Sequence, residues 1–97
     1  MKTVITAQRE IKAQFHDTLT ELAHKSQNAY AQNDHANARE YHAAVTAMAL
    51  MVTSLWQPLR DDFAAFLSSG STSSMHDFVI RWLWYDLEGM RLTPDMF

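Results

Sequence analysis

The sequence predicts an all-α fold, a small helical bundle built on a long antiparallel hairpin, and three observations carry that reading. The 97 residues include only two glycines and two prolines, too little turn chemistry for a sheet of several strands. Alanine, leucine and methionine are abundant, and they favour helix. Apolar residues also recur at three- and four-residue steps over long stretches. A chain of this length is expected to be one domain, residues 1–97, with one modest core.

The first helix is expected over residues 3–31, where Val4, Ala7, Ile11, Phe15, Leu19, Leu22, Ser26 and Ala29 form one face. Arg9, Glu10, Lys12, Asp17, Glu21 and Lys25 fall on other faces. Gln32-Asn33-Asp34 breaks the pattern, with Asn33 or Asp34 placed to accept the first free N–H groups of a second helix over 34–57. So short a connection predicts an antiparallel hairpin. The second helix presents Ala38, Tyr41, Val45, Met48, Val52, Leu55 and Leu59. From Tyr41 to Leu59 it contains no Asp, Glu, Lys or Arg. That predicts a helix in the middle of the bundle, touched on two sides, with Ala43, Ala47 and Ser54 allowing close approach.

Pro58 lacks a backbone N–H, so the second helix either kinks there, as a hinge between two halves, or stops, and a third helix over 58–68 begins with Pro58 at its first position. Leu59, Phe63, Phe66 and Leu67 give that helix an apolar face, and Asp61 and Asp62 are expected in its first turn, where the helix dipole favours negative charge. Residues 69–74 are Ser-rich and read as a flexible linker. Ser74 and Asp77 match a capping box, starting an aromatic helix over 75–88 that Gly89 closes. The tail, 89–97, has a turn signal at Pro94-Asp95 and no periodicity, and is expected to be loosely held or ordered by a partner.

Function is read mainly from the aromatic helix. Eight of the ten residues from Phe78 to Leu87 are large and apolar or aromatic, and they spread over most of the helix circumference. Asp77, Arg81 and Glu88 mark a narrow polar strip. A domain this small is short of chain to cover such a helix, so Trp82, Trp84 and Tyr85 are expected to meet a protein partner, while Val79, Leu83 and Leu87 face the core. Asp77 and Arg81 have the i,i+4 spacing of an ion pair. Asp86 falls on the apolar arc near the helix C-terminus, where a carboxylate opposes the dipole. It reads either as a fray point reaching water or as a charge kept for a partner's Arg or Lys, beside Asp77, Glu88 and Asp95.

Composition argues against several other classes. The chain has no cysteine, hence no disulfide, thiolate metal site or thiol nucleophile, which suits a cytoplasmic protein. The start lacks a signal peptide's unbroken apolar stretch, so no export is expected. Residues 1–60 hold six Lys/Arg against five Asp/Glu, and residues 61–97 hold two against six. The halves are therefore +1 and −4, which sum to −3. The acidic half repels phosphate, and no basic patch is readable, so no direct nucleic-acid partner is expected. The charge-free run is near membrane-span length, but His42, Thr46, Thr53, Ser54, Gln57 and Pro58 make it too polar to cross, so no membrane partner is expected either.

The five histidines form no complete ligand set. Glu21 and His24 make one Glu-x-x-His unit where a di-iron bundle needs two, and Arg39 lies between His35 and His42. Neither a metal nor another cofactor is expected. Asp61 and Asp62 point about 100° apart on a helix and make no acid–base pair, and there is no nucleophile-elbow or phosphate-binding loop, so no catalytic residues are assigned.

Two resemblances remain. Residues 29–44, with Ala29, Tyr30, Ala36, Ala38, Tyr41, Ala43 and Ala44, look like the small-residue and Tyr spacing of a tetratricopeptide turn, and a single such turn implies a helical hairpin and no peptide groove. In general character, being short, cysteine-free and acidic, the chain resembles small phage-encoded proteins that inhibit or redirect a host machine, of the anti-RecBCD or anti-CRISPR type. That resemblance implies a non-enzymatic protein docked on a large host nuclease or defence complex. The alternative is a self-associating structural or chaperone-like protein, a homodimer that buries the aromatic helix against a second copy.

Overall fold

A computed structural model describes residues 3–93 and Met96. They form four helices, α1 (Val4–Ala31), α2 (His35–Thr53), α3 (Gln57–Ser68) and α4 (Met75–Leu87), with no strand among the described residues. The expected Pro94-Asp95 turn lies outside the described residues.

Local chemistry accounts for most helix ends. The Thr3 hydroxyl accepts the N–H of Thr6 at 3.1 Å and starts α1. At the other end Asn33 takes a left-handed conformation (φ 60°), letting its own N–H reach the Tyr30 carbonyl (3.0 Å) and that of Asp34 reach Ala29 (2.8 Å). This is the paired closure of a Schellman motif. Asp34 then caps α2 through the N–H of Asn37. Three residues thus end one helix and begin the next, and the expected hairpin forms. Its walls meet closely where the buried Ser26 hydroxyl donates to the Ala38 carbonyl at 3.0 Å.

Helix α2 stops at Thr53, four residues short of the expected end. In a continuous helix the Pro58 ring would collide with the carbonyl of Ser54. The chain therefore opens one turn before the proline. The hydroxyls of Thr53 and Ser54 donate to the carbonyls of Leu50 (2.6 Å) and Met51 (2.7 Å), and Trp56 turns extended (φ −131°, ψ 133°) before α3. Pro58 sits in the first turn of α3, so it is no hinge within a helix. Because α3 begins at Gln57, one residue before the expected start, Asp61 and Asp62 lie one residue further in and fall outside its first turn.

The Ser-rich connection is tied by its own hydroxyls, with Ser69 accepting from the N–H of Ser71 and Ser71 from that of Ser73, both at 3.2 Å. Ser74 caps α4 by accepting the N–H of Asp77 at 3.2 Å. Gly89 (φ 72°) closes α4 with a second Schellman pair, Met90 N–H to Tyr85 and Gly89 N–H to Asp86.

Helix α4 packs against α1, α2 and α3. The core joins Leu19 of α1, Val45, Ala49 and Val52 of α2, Leu59 and Phe66 of α3, and Phe78, Val79, Trp82 and Leu83 of α4. Phe66 and Phe78 stack with centroids 4.6 Å apart. Leu92 is fully buried in the same cluster, so the segment after α4 is anchored through Leu92 instead of hanging loose. Two expected core positions of α1, Val4 and Ile11, lie exposed. The Cα extents are 44 × 37 × 20 Å, and the short dimension has room for only two layers of helix.

Candidate functional site

The structure divides the seven residues expected at a partner surface. Trp82 leaves that set: it is 5% exposed, part of the core, and its indole N–H donates to Asp62 Oδ2 at 2.8 Å. The neighbours that cover it come from other elements. Lys12 of α1 lies with its Nζ 5.9 Å from the Trp82 ring centroid and 5.2 Å from that of Trp56. The same ammonium pairs with Asp86 Oδ2 at 2.7 Å. Asp86 is therefore neither a fray point nor a charge held back for a partner, because the chain's own Lys12 meets it. A sequence pattern hid this pair, since its members are 74 residues apart.

Arg81 also departs from expectation. Its guanidinium donates to the Met96 carbonyl at 2.8 Å, and the expected Asp77–Arg81 ion pair is not formed. Asp77 instead lies 3.5 Å from His76 Nε2. Tyr85 is half-buried and packs on the core. Arg9 reaches across from α1 to donate to the Leu87 carbonyl at 2.8 Å, satisfying an open group at the end of α4. Val79 and Leu83 are fully buried and Leu87 half-buried, on the core side as expected.

What α4 leaves outside is a single edge. Asp77, Arg81, Trp84 and Glu88 follow one another at steps of four, three and four, which places them along one line of the helix. Trp84 is 48% exposed and leans on the His16 ring, 5.6 Å between centroids. Asp77 and Glu88 are exposed at either end.

On a different side of α4 a cleft of about 430 Å3 opens between α3, the end of α4 and the segment after it. Asp61, Asp62, Trp82, Asp86 and Arg91 stand on its walls. Its carboxylates are already engaged: Asp61 accepts from Gln57 Nε2 at 2.7 Å, Asp62 holds Trp82 and lies 3.4 Å from Arg91, and Asp86 holds Lys12. Among the described residues no three His, Cys, Asp or Glu converge as a metal ion would require. Glu21, His24, His35 and His42 are exposed. His76, beside His42 at 5.6 Å between ring centroids, has its pKa lowered below 6.5, first by burial, with the neighbouring imidazole adding to the effect and Asp77 opposing it.

A second surface was missed by the sequence reading. Helix α2 is touched on one side only, and its outward side carries Ala43, Ala44, Ala47, Leu50 and Met51, followed just past its end by Ser54 and Leu55, all exposed. Leu50, Met51 and Leu55 stand 45%, 52% and 48% open. The signal was present as the charge-free run itself. No helix of the described residues is long and apolar enough to cross a membrane.

No family model matches the chain, and neither a curated protein nor a solved structure matches it.

Proposed function

We propose that this chain is a non-enzymatic protein-binding module whose recognition element is the outer edge of α4, centred on Trp84. One observation carries the reading: Trp84 stays half exposed on a helix that buries its other large residues wholly or in part. A tryptophan held on a rigid element, already leaning on His16, loses little freedom on binding and contributes more per residue than most interface side chains. Asp77 and Glu88 at the ends of the edge favour a basic partner surface and disfavour an acidic one. The general resemblance to phage modulators makes a host nuclease–helicase or CRISPR complex the first partner class to test.

The test is titration of the purified chain against such complexes, with Trp84→Ala as the control. A central interface tryptophan is worth about 2 kcal/mol or more, roughly thirtyfold in affinity. Trp84→Ala is therefore expected to weaken binding about thirtyfold with the melting temperature nearly unchanged. Equal affinity of the two chains for a complex that binds would reject the α4 edge as the recognition element.

A further inference from the structure

The cleft between α3, the end of α4 and the segment after it faces away from the Trp84 edge. Trp82 and Asp86 stand two residues to either side of Trp84, each about 160° from it around the helix. The cleft volume of about 430 Å3 falls in the range of ligand pockets, roughly 300 to 1,000 Å3. Pro58, Met90 and Trp82 line it with apolar surface, and carboxylates stand on both walls, Asp61 and Asp62 on α3 and Asp86 on α4. Apolar walls with fixed anionic points suit a cation carried on an apolar stem.

A group already at the cleft shows which cation. The guanidinium of Arg91 lies 3.4 Å from Asp62 Oδ1, with its side chain 80% exposed. That is longer than the roughly 2.7 to 2.9 Å of a tight charge-assisted bond, and so exposed a pair contributes little to the fold. Asp62 itself is firmly placed: its side chain is 15% exposed, and its other oxygen accepts the Trp82 indole N–H at 2.8 Å. A fixed carboxylate thus faces a loose counterion.

We propose that the cleft receives an arginine side chain of a protein partner, and that Arg91 holds its place in the free chain. The incoming guanidinium pairs with Asp62 as Arg91 turns out to solvent, and its stem lies along Trp82, Pro58 and Met90. The carboxylates are engaged but not saturated. Each offers about four acceptor sites, and among the described residues Asp61 and Asp86 use one each, toward Gln57 and Lys12. Three carboxylates against Lys12 and Arg91 leave a net charge of −1, which becomes −2 when Arg91 withdraws, so a cation is drawn in and an anion repelled. A planar guanidinium has five N–H donors to share between carboxylates on two walls and stacks on an indole, whereas an ammonium is a point charge. The inference goes beyond the α4 edge and is independent of it.

The probe is the capped tripeptide acetyl-Gly-Arg-Gly-amide, titrated into the isotope-labelled chain at constant ionic strength while NMR follows the Trp82 indole N–H. A saturable shift is expected, with a dissociation constant on the order of 1–10 mM. The citrulline peptide, which keeps the shape and lacks the charge, is expected to give none, and the lysine peptide a weaker one. Arg91→Ala empties the cleft and is expected to tighten the arginine peptide about two- to fivefold, the strength of an exposed ion pair. Asp62→Asn keeps an oxygen for the Trp82 N–H and is expected to weaken binding more than about tenfold with helix content unchanged. Absence of saturation would overturn the proposal. So would an equal response to the citrulline or lysine peptide, an Arg91→Ala chain that binds no more tightly, or a folded Asp62→Asn chain that binds as well as the original. Trp84→Ala is expected to change none of these results, so failure of the cleft and failure of the α4 edge are read separately.

Discussion

Helices α4 and α2 exchange the places that their sequences suggest. Helix α4 is the more aromatic and was expected to overflow its own chain's capacity to cover it, yet α1, α2 and α3 all pack on it and leave one edge outside. The nineteen residues Tyr41–Leu59, running from α2 into the start of α3, are free of charge, and α2 was expected to be covered on both sides, yet its outward side stands open. The difference teaches that coverage depends on where neighbouring elements can reach. Helix α4 packs on both arms of the α1–α2 hairpin and on α3, and among the described residues no element covers the outward side of α2.

The largest test of this contrast is truncation of a leucine on each helix. Leu83→Ala on α4 is expected to cost roughly 2 to 5 kcal/mol of stability in urea denaturation, as for other fully buried leucines. Leu50→Ala on α2, at 45% exposure, is expected to stay within about 0.5 kcal/mol in dilute solution. Similar losses at both positions would break the comparison.

A smaller effect is expected at the contact that closes α4 against α1. Lys12→Ala removes an ammonium from between two tryptophan rings together with its packed stem, and a loss of about 1 to 2 kcal/mol is expected, measured by the same denaturation. Asp86→Asn is expected to cost less, under about 1 kcal/mol, because its carboxylate is more than one-third exposed and water screens the pair.

The smallest effect sharpens the comparison where the two helices touch, at His42 and His76. Burial lowers the His76 pKa in the folded chain, so the unfolded chain binds the proton more readily. The stabilisation from neutral His76 is complete above pH 6.5 and is lost as pH falls from there through the folded value. Melting temperature is therefore expected to decline from pH 7.5 to pH 5, and His76→Gln is expected to flatten part of that decline. An identical pH profile for the variant would show that His76 contributes nothing to it.

Much of this fold is legible in the sequence because its signals are local. Thr3, Asp34, Ser74 and Gly89 act within three or four residues of themselves, and each starts or ends a helix near the expected place. The buried stripe of α2, Ala38, Val45 and Val52, also follows from period alone. What was not legible depends on the approach of distant segments. The fate of Trp82 and Asp86 turns on Lys12, Trp56 and Asp62, none of which is nearby in sequence. The open side of α2 escaped for a different reason: a helix without charges has no polar face to mark which way is out. Pro58 announced a break, but the position of that break was set by the Ser54 carbonyl one turn earlier.

The three-residue closure at Gln32–Asp34 has a consequence for the order in which the molecule assembles. Both of its hydrogen-bonding tasks are met within nine residues, from Ala29 to Asn37, so forming it requires almost no loop to be closed. From that point α1 and α2 can zip outward, each new contact adding only a little to the sequence separation already bridged. The α1–α4 contacts are of the opposite kind: Lys12 and Asp86 are 74 residues apart, and they close only after the hairpin has shaped the groove that α4 enters. The hairpin is therefore expected to form ahead of the long-range α1–α4 contacts, with the tight turn setting that order.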